Sequence, residues 1–138
     1  MPDVLYGTHP VSDAALRDLL QKIADILNCQ VIVTSGDRMS VPKGGAKNSL
    51  HLMGRAADIH VQGMSDSELF LKLRSKRAEI FGASLGTPMA WQILLHGKYT
   101  RTEAPHLHIG DPTAQSTAFR GFVEEGTVPG QAYFVVEH

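Results

Sequence analysis

The segment NSLHLMGRAADIHV, Asn48–Val61, runs from a loop into an extended stretch and sets His51 seven residues ahead of Asp58. An imidazole and a carboxylate at that spacing, with a glycine and small residues between them, suit two ligands of one divalent cation. A cation held this way needs a third ligand from elsewhere in the chain.

Upstream, SDAALRDLLQKIADILN is an amphipathic helix with a candidate N-cap at Ser12. Its Leu16, Leu19, Leu20, Ile23, Ile26 and Leu27 follow the i, i+3, i+4, i+7 rule. CQVIVTS, Cys29–Ser35, is a β-branched run that reads as a buried strand. GDRMSVPKGGAKNS, between it and the opening segment, carries Gly, Pro and Lys and reads as an irregular loop. Downstream, SDSELFLKLRSKRAEIF begins with a capping box, Ser65 with Glu68, and shows an apolar face of Leu69, Leu73, Ile80 and Phe81. MAWQILLH and PHLHIG are strand candidates joined by the polar GKYTRTEA. The tail TAFRGFVEEGTVPGQAYFVVEH reads as a short helix followed by a last strand, AYFVV. Two helices and four or five short strands in this order predict an α+β fold, a small and mostly antiparallel sheet with flanking helices.

The chain has 138 residues, within the range of one domain with one core. Apolar content of 43% and charged content of 20% exclude a disordered chain. Thirteen basic against fourteen acidic residues give a formal net charge of −1, which argues against nucleic acid as a partner. The first residues, MPDVLYGTHPV, lack a basic segment followed by an apolar one, so no signal peptide is expected. No run of 18 apolar residues exists, so no membrane insertion is expected. Cys29 stands alone, in a setting that suits a small buried hydrophobe rather than a nucleophile.

Seven histidines fall at positions 9, 51, 60, 96, 106, 108 and 138. His106 and His108 alternate with Leu107 in a strand candidate, so both rings point to one side, about 7 Å apart along the chain. One of them can bind metal while the other works beside it. His51, Asp58 and one histidine of this pair make two imidazoles and a carboxylate. That set suits Zn²⁺, with a fourth position left for water. No cysteine cluster is present to build the commoner structural zinc sites.

SGDR (Ser35–Arg38), GGAKNSLHLMGRAADI (Gly44–Ile59) and HLHIG (His106–Gly110) together resemble the D-alanyl-D-alanine metallopeptidase family. That family belongs to a larger group with the lysostaphin-type peptidases and the hedgehog signalling domain. Ser49, His51, Gly54, Ala56 and Asp58 match the family pattern Ser-x-His-x-x-Gly-x-Ala-x-Asp at each position. The resemblance spans roughly residues 30–110. It implies a hedgehog/D-Ala-D-Ala-peptidase-like fold and a zinc site of His51, Asp58 and His108, the last ligand being the second histidine of the pair. Zinc in such a site activates water and polarises the scissile carbonyl. Arg38 would face the substrate and steady an oxyanion or a substrate carboxylate. Ser49 would hydrogen-bond the substrate.

The chain departs from the family at the base. Many members carry a glutamate shortly before the last ligand or at the end of the preceding strand. In this chain His96 takes the strand-end place, and Glu103 lies five residues before His108 in a loop. Either Glu103 serves as base, or His106 and His96 share the proton transfer, as the first histidine of such a pair does in lysostaphin-type relatives.

The remaining candidates have plainer readings. His60 shares a strand face with Asp58 and reads as an ordinary strand histidine, with support of the metal ligands as the alternative. His9 and His138 are expected in solvent, Trp91 in the core or a pocket wall, and KLRSKRAE on a wet helix face. KGGAK lacks the Gly-Lys-Ser/Thr ending of a phosphate loop.

The expectation for residues 1–138 is thus a single zinc peptidase domain that hydrolyses an amide bond in the peptidoglycan stem or cross-link, as a carboxypeptidase or an endopeptidase. With no export signal, it would be made in the cytoplasm and reach the cell wall after lysis or by dedicated secretion. The rival is a catalytically inactive, zinc-stabilised binding module of hedgehog type, kept open by His96 in place of a glutamate.

Overall fold

A computed structural model describes residues 2–36, 56–82, 91–101, 104–110 and 120–137. Its strands are Val4–Leu5 (β1), Val31–Ser35 (β2), Ala56–Val61 (β3), Gln92–His96 (β4), His106–Gly110 (β5), Gly121–Glu125 (β6) and Phe134–Glu137 (β7). Its helices are Ala14–Leu27 (α1), Asp66–Ser75 (α2) and Arg77–Phe81 (α3).

The first helix forms where the leucine and isoleucine periodicity predicts, and Leu16, Leu19, Leu20 and Ile23 are buried. Its cap is Asp13 rather than Ser12. Asp13 holds the extended backbone next to the first turn, and its carboxylate accepts from the Ala15 amide at 3.2 Å. Asn28 ends the helix in the left-handed region, φ 52°, where a short polar side chain is tolerated. The capping box at α2 is present as expected: Ser65 Oγ accepts from the Glu68 amide at 3.1 Å, and Glu68 Oε1 from the Ser65 amide at 3.3 Å. The single helix expected over Ser65–Phe81 is two, because the backbone turns at Lys76, which serves as the end of α2 and the start of α3.

Among the described residues the strands form one sheet in the order β1-β2-β3-β5-β4-β6-β7. The expectation of a mostly antiparallel sheet is corrected to a mixed one, because two pairings, β1 with β2 and β4 with β6, are parallel. Both arise from the connections. The helix α1 is the crossover that returns the chain beside β1 in the same direction. With β5 on one edge of β4, antiparallel, β6 pairs with the other edge in parallel. The tail of the chain supplies β6 and β7; the segment expected to hold a short helix supplies a strand among its described residues.

One face of the sheet belongs to the core. Val31 and Val33, Ala57, Ile59 and Val61, Ile93 and Leu95, Leu107 and Ile109, and Phe122 join the buried side chains of the three helices in one cluster. Phe122 anchors it, with Phe70 of α2 and Phe81 of α3 edge-on to its ring at centroid distances of 5.7 and 6.1 Å. Every second residue of these strands points to the opposite face.

Phe122→Ala removes the ring that ties β6 to α2 and α3, and is expected to cost about 3–5 kcal/mol of stability. Urea unfolding of the metal-free protein measures it; a loss below about 1 kcal/mol would show that β6 is not held through this cluster.

Candidate functional site

The face turned away from the helices carries chemistry. Strand pairing sets Asp58 opposite His108, His108 opposite Leu94, and Leu94 opposite Val123. One row along, it sets His106 opposite His96 and His96 opposite Glu125. Residues paired across a sheet, and residues two apart along a strand, share a face. Asp58, His108, His106, His96 and Glu125 are therefore neighbours because of register, although 67 positions separate the first from the last. Four of them are buried: Asp58 at 3%, His96 at 4%, His108 at 8% and Glu125 at 3% relative exposure.

Their contacts form a chain across the sheet. His108 Nδ1 lies 3.2 Å from Asp58 Oδ1, and His106 Nε2 lies 3.4 Å from the same oxygen. The His106 Nδ1–H donates to the Ala104 carbonyl at 2.6 Å, with Nε2 on the Asp58 side. The His106 and His96 rings face one another at 4.4 Å, tilted by 33°. His96 Nδ1 meets Glu125 Oε1 at 2.6 Å. Thr100 Oγ1 donates to the same carboxylate, and the Arg101 amide donates to its other oxygen at 3.2 Å. Tyr133 stands edge-on to His96 at 6.2 Å.

Burial pushes the His96 imidazole below its ordinary 6.5, against the opposing pull of the hydrogen bond to Glu125, which favours the neutral ring. For Glu125 burial pushes up, but hydrogen bonds from Thr100, His96 and the Arg101 amide outweigh it and keep the carboxylate below its ordinary 4.5. Burial, followed by the nearby Glu125 charge, raises the Tyr133 phenol.

Of the residues singled out from sequence, Asp58, His108, His106 and His96 converge on this face. His51, Ser49, Arg38 and Glu103 lie outside the described residues. His60 turns to a different partner, with its Nδ1 2.6 Å from Asp66 Oδ1 at the start of α2. His9 is half-buried rather than solvated, and Trp91 is part of the core cluster. Glu125 was not legible as a site residue. GFVEE sets two apolar residues before two glutamates, so its spacing does not single out the one that faces the sheet, and the tail reads as a short helix and a last strand.

The donors suit a small divalent cation. Ligands of a tetrahedral zinc at ~2.0–2.1 Å from the metal lie roughly 3.3 Å from one another, and Asp58 Oδ1 and His108 Nδ1 are 3.2 Å apart. Among the described residues no group of three or more His, Cys, Asp or Glu is disposed to hold a metal ion. The pair therefore supplies two donors, and the third expected one, His51, lies outside the described residues. No helix among them is long and apolar enough to cross a membrane.

A family model described as Peptidase M15 matches residues 6–89, more than half of the chain. Neither a curated protein nor a solved structure matches. The matched segment contains the Ser49–Asp58 motif and ends before β4, so the match owes nothing to His96, His106 or His108.

The pKa directions give a sign for acid stability. With its folded value lowered, His96 takes up a proton in the unfolded chain near pH 6.5 but not yet in the folded one, so stability falls as pH drops below 6.5. Glu125, also lowered, contributes stability that is present above pH 4.5 and lost as pH falls through its folded value. In chelator, the melting temperature is expected to fall between pH 7 and pH 5, and His96→Asn to fall less steeply below pH 6.5. Equal slopes for the two proteins would remove His96 from this account.

Proposed function

This chain belongs to the peptidase M15 family, which is typically zinc-dependent, and from that premise we propose that it is a zinc-dependent hydrolase of peptide bonds in peptidoglycan. The observation that carries the reading is the gathering of Asp58, His108, His106 and His96 on one sheet face, opposite the core. In this reading His51, Asp58 and His108 hold the metal, and residues 1–138 act as a single catalytic domain of the larger group that includes lysostaphin-type peptidases. Zinc bound there would supply Lewis-acid activation of water and of the scissile carbonyl.

The protein side chains do the rest. A neutral imidazole in a shielded site is a competent base near pH 7. His106, whose Nδ1–H is held by a carbonyl, offers Nε2, and His96 stands in ring contact behind it. Between them they take the proton of the attacking water and return it to the leaving amine nitrogen as the C–N bond breaks. This pair is preferred to Glu103 as the base. Arg38 and Ser49 would bind the substrate, Arg38 through its charge and Ser49 through its hydroxyl. The bond cleaved is that of a terminal D-amino acid or of a stem or cross-link, which makes the enzyme a carboxypeptidase or an endopeptidase. Such an enzyme would meet its substrate after cell lysis or dedicated secretion, in the manner of an endolysin.

Zinc-loaded protein is expected to digest purified muropeptides, to stop on addition of chelator, and to recover on zinc addition. Mass spectrometry of the fragments identifies the bond. Asp58→Asn or His108→Ala should lose both zinc and turnover, whereas His106→Ala should keep zinc and lose roughly 100-fold or more in kcat. Metal-loaded protein that leaves every muropeptide and D-Ala-D-Ala peptide intact would instead be the zinc-stabilised binding module of hedgehog type.

A further inference from the structure

We propose that Glu125 is a positioning residue of this site: from the strand beyond His96 it fixes which nitrogen of that imidazole carries hydrogen, and so sets the ring's working nitrogen. The proposal rests on the peptidase reading above for its consequence in turnover, but not for its geometry.

A carboxylate accepts hydrogen bonds and cannot donate. The 2.6 Å contact between His96 Nδ1 and Glu125 Oε1 therefore places the ring hydrogen on Nδ1 and leaves the lone pair on Nε2. Glu125 is in turn held from two further directions, by the Thr100 hydroxyl and by the Arg101 amide at 3.2 Å. Thr100 Oγ1 also lies 3.3 Å from His96 Nδ1, so carboxylate, hydroxyl and ring nitrogen close a triangle. A carboxylate on a side chain that is 4% exposed would be costly without such partners.

The backbone is shaped to deliver them. The chain leaving His96 folds back over the end of β6: the Gly97 amide donates to the Glu125 carbonyl at 2.8 Å and the Tyr99 amide to the Gly126 carbonyl at 2.7 Å. This close approach requires two glycines. A Cβ on Gly97 would lie 2.6 Å from the Gly126 carbonyl oxygen, and one on Gly126 would lie 2.4 Å from the Thr100 nitrogen, at a φ of +72°. The fold therefore brings β4, its following turn and β6 together around one carboxylate on the face opposite the core.

A buried ion or ion-dipole pair is not by itself a stabilising device, since apolar side chains of similar volume often serve as well. What this arrangement adds is orientation. Glu125 backs His96, His96 faces His106 at 4.4 Å, and His106 Nε2 reaches toward Asp58. With the Nδ1 atoms of both rings engaged, each presents Nε2. A proton taken from water onto an imidazole Nε2 leaves again to the amine nitrogen, so the rings and Glu125 end the cycle as they began it.

The test compares zinc-loaded wild type, Glu125→Gln and Thr100→Val on purified muropeptides, with ¹⁵N NMR of the histidine rings. Glutamine keeps the shape of Glu125 but can donate as well as accept, so it no longer enforces one tautomer. Glu125→Gln is expected to lower kcat roughly 10- to 100-fold with KM and zinc content unchanged, and to move the His96 ring-nitrogen signals away from a pure Nδ1–H form. Thr100→Val should show the same changes to a smaller degree, and it decides the matter if Glu125→Gln does not fold. Folded variants with wild-type kcat and unchanged His96 nitrogen signals would overturn the proposal. A wild type that cleaves nothing defeats the peptidase reading instead, and the ring signals alone then decide whether Glu125 sets the tautomer.

Discussion

The two-residue period of the β-strand is the constraint on which this molecule depends. Leu107 and Ile109 of β5 point into the core, so His106 and His108 must point away from it. The same parity holds in β3, where Ala57, Ile59 and Val61 flank Asp58, and in β4, where Ile93 and Leu95 precede His96. Hydrophobic burial against three helices fixes the register, and a slip of one residue would put imidazoles into the core and leucines into the site. The apolar face thus positions the polar one. The chemistry-bearing side chains need no separate scaffold, because they occupy the positions that the core does not use.

Such a face carries an energetic cost that the contacts explain. Asp58, His96, His108 and Glu125 are all removed from most of their water. Each loses hydration, and each is given a partner: His108 for Asp58, and His96, Thr100 and the Arg101 amide for Glu125. A hydrogen bond to a charged group contributes about 1.5–3 kcal/mol, enough to offset the loss but not to make these residues better than apolar ones in the same places. Stability alone therefore does not account for the polar face. A fold selected for stability alone would fill those positions with the valines and leucines it uses elsewhere, as it does at Leu94 and Val123 in the next row.

Much of this could be read from the sequence, and what could not has local causes. The helix α1 and the strands β2, β3, β4 and β5 stood out because their apolar spacing is uninterrupted. The strand β1 is two residues long and carries no period of its own. The strand β6 was obscured because GFVEE ends in two charges, and an acidic pair beside glycine resembles a surface turn more than the inside of a sheet. Its pairing is also parallel and non-sequential, so no turn chemistry announces it. The site divides along the same line. Asp58, His106 and His108 were accessible because their spacing is a motif. The partnership of His96 with Glu125 depends on register across β4 and β6, which spacing along the chain does not encode.

That division bears on what family membership can explain. The match to peptidase M15 spans α1, β2, the His51 motif, β3 and α2–α3, and stops before the strands that carry His96, His106, His108 and Glu125. The first part of the chain thus carries Asp58 on β3, and pairing of β3 with β5 brings His108 to it across the sheet. The opposite edge of β5 meets β4 and, through β4, β6. An imidazole at the end of β4 is shorter on hydrogen-bonding options than a carboxylate, since one ring nitrogen must be committed before the other can act as an acceptor. A carboxylate supplied from the neighbouring strand makes that commitment. The presence of His96 in a place where a glutamate would need no such support and the burial of Glu125 directly behind it are, on this argument, two halves of one arrangement.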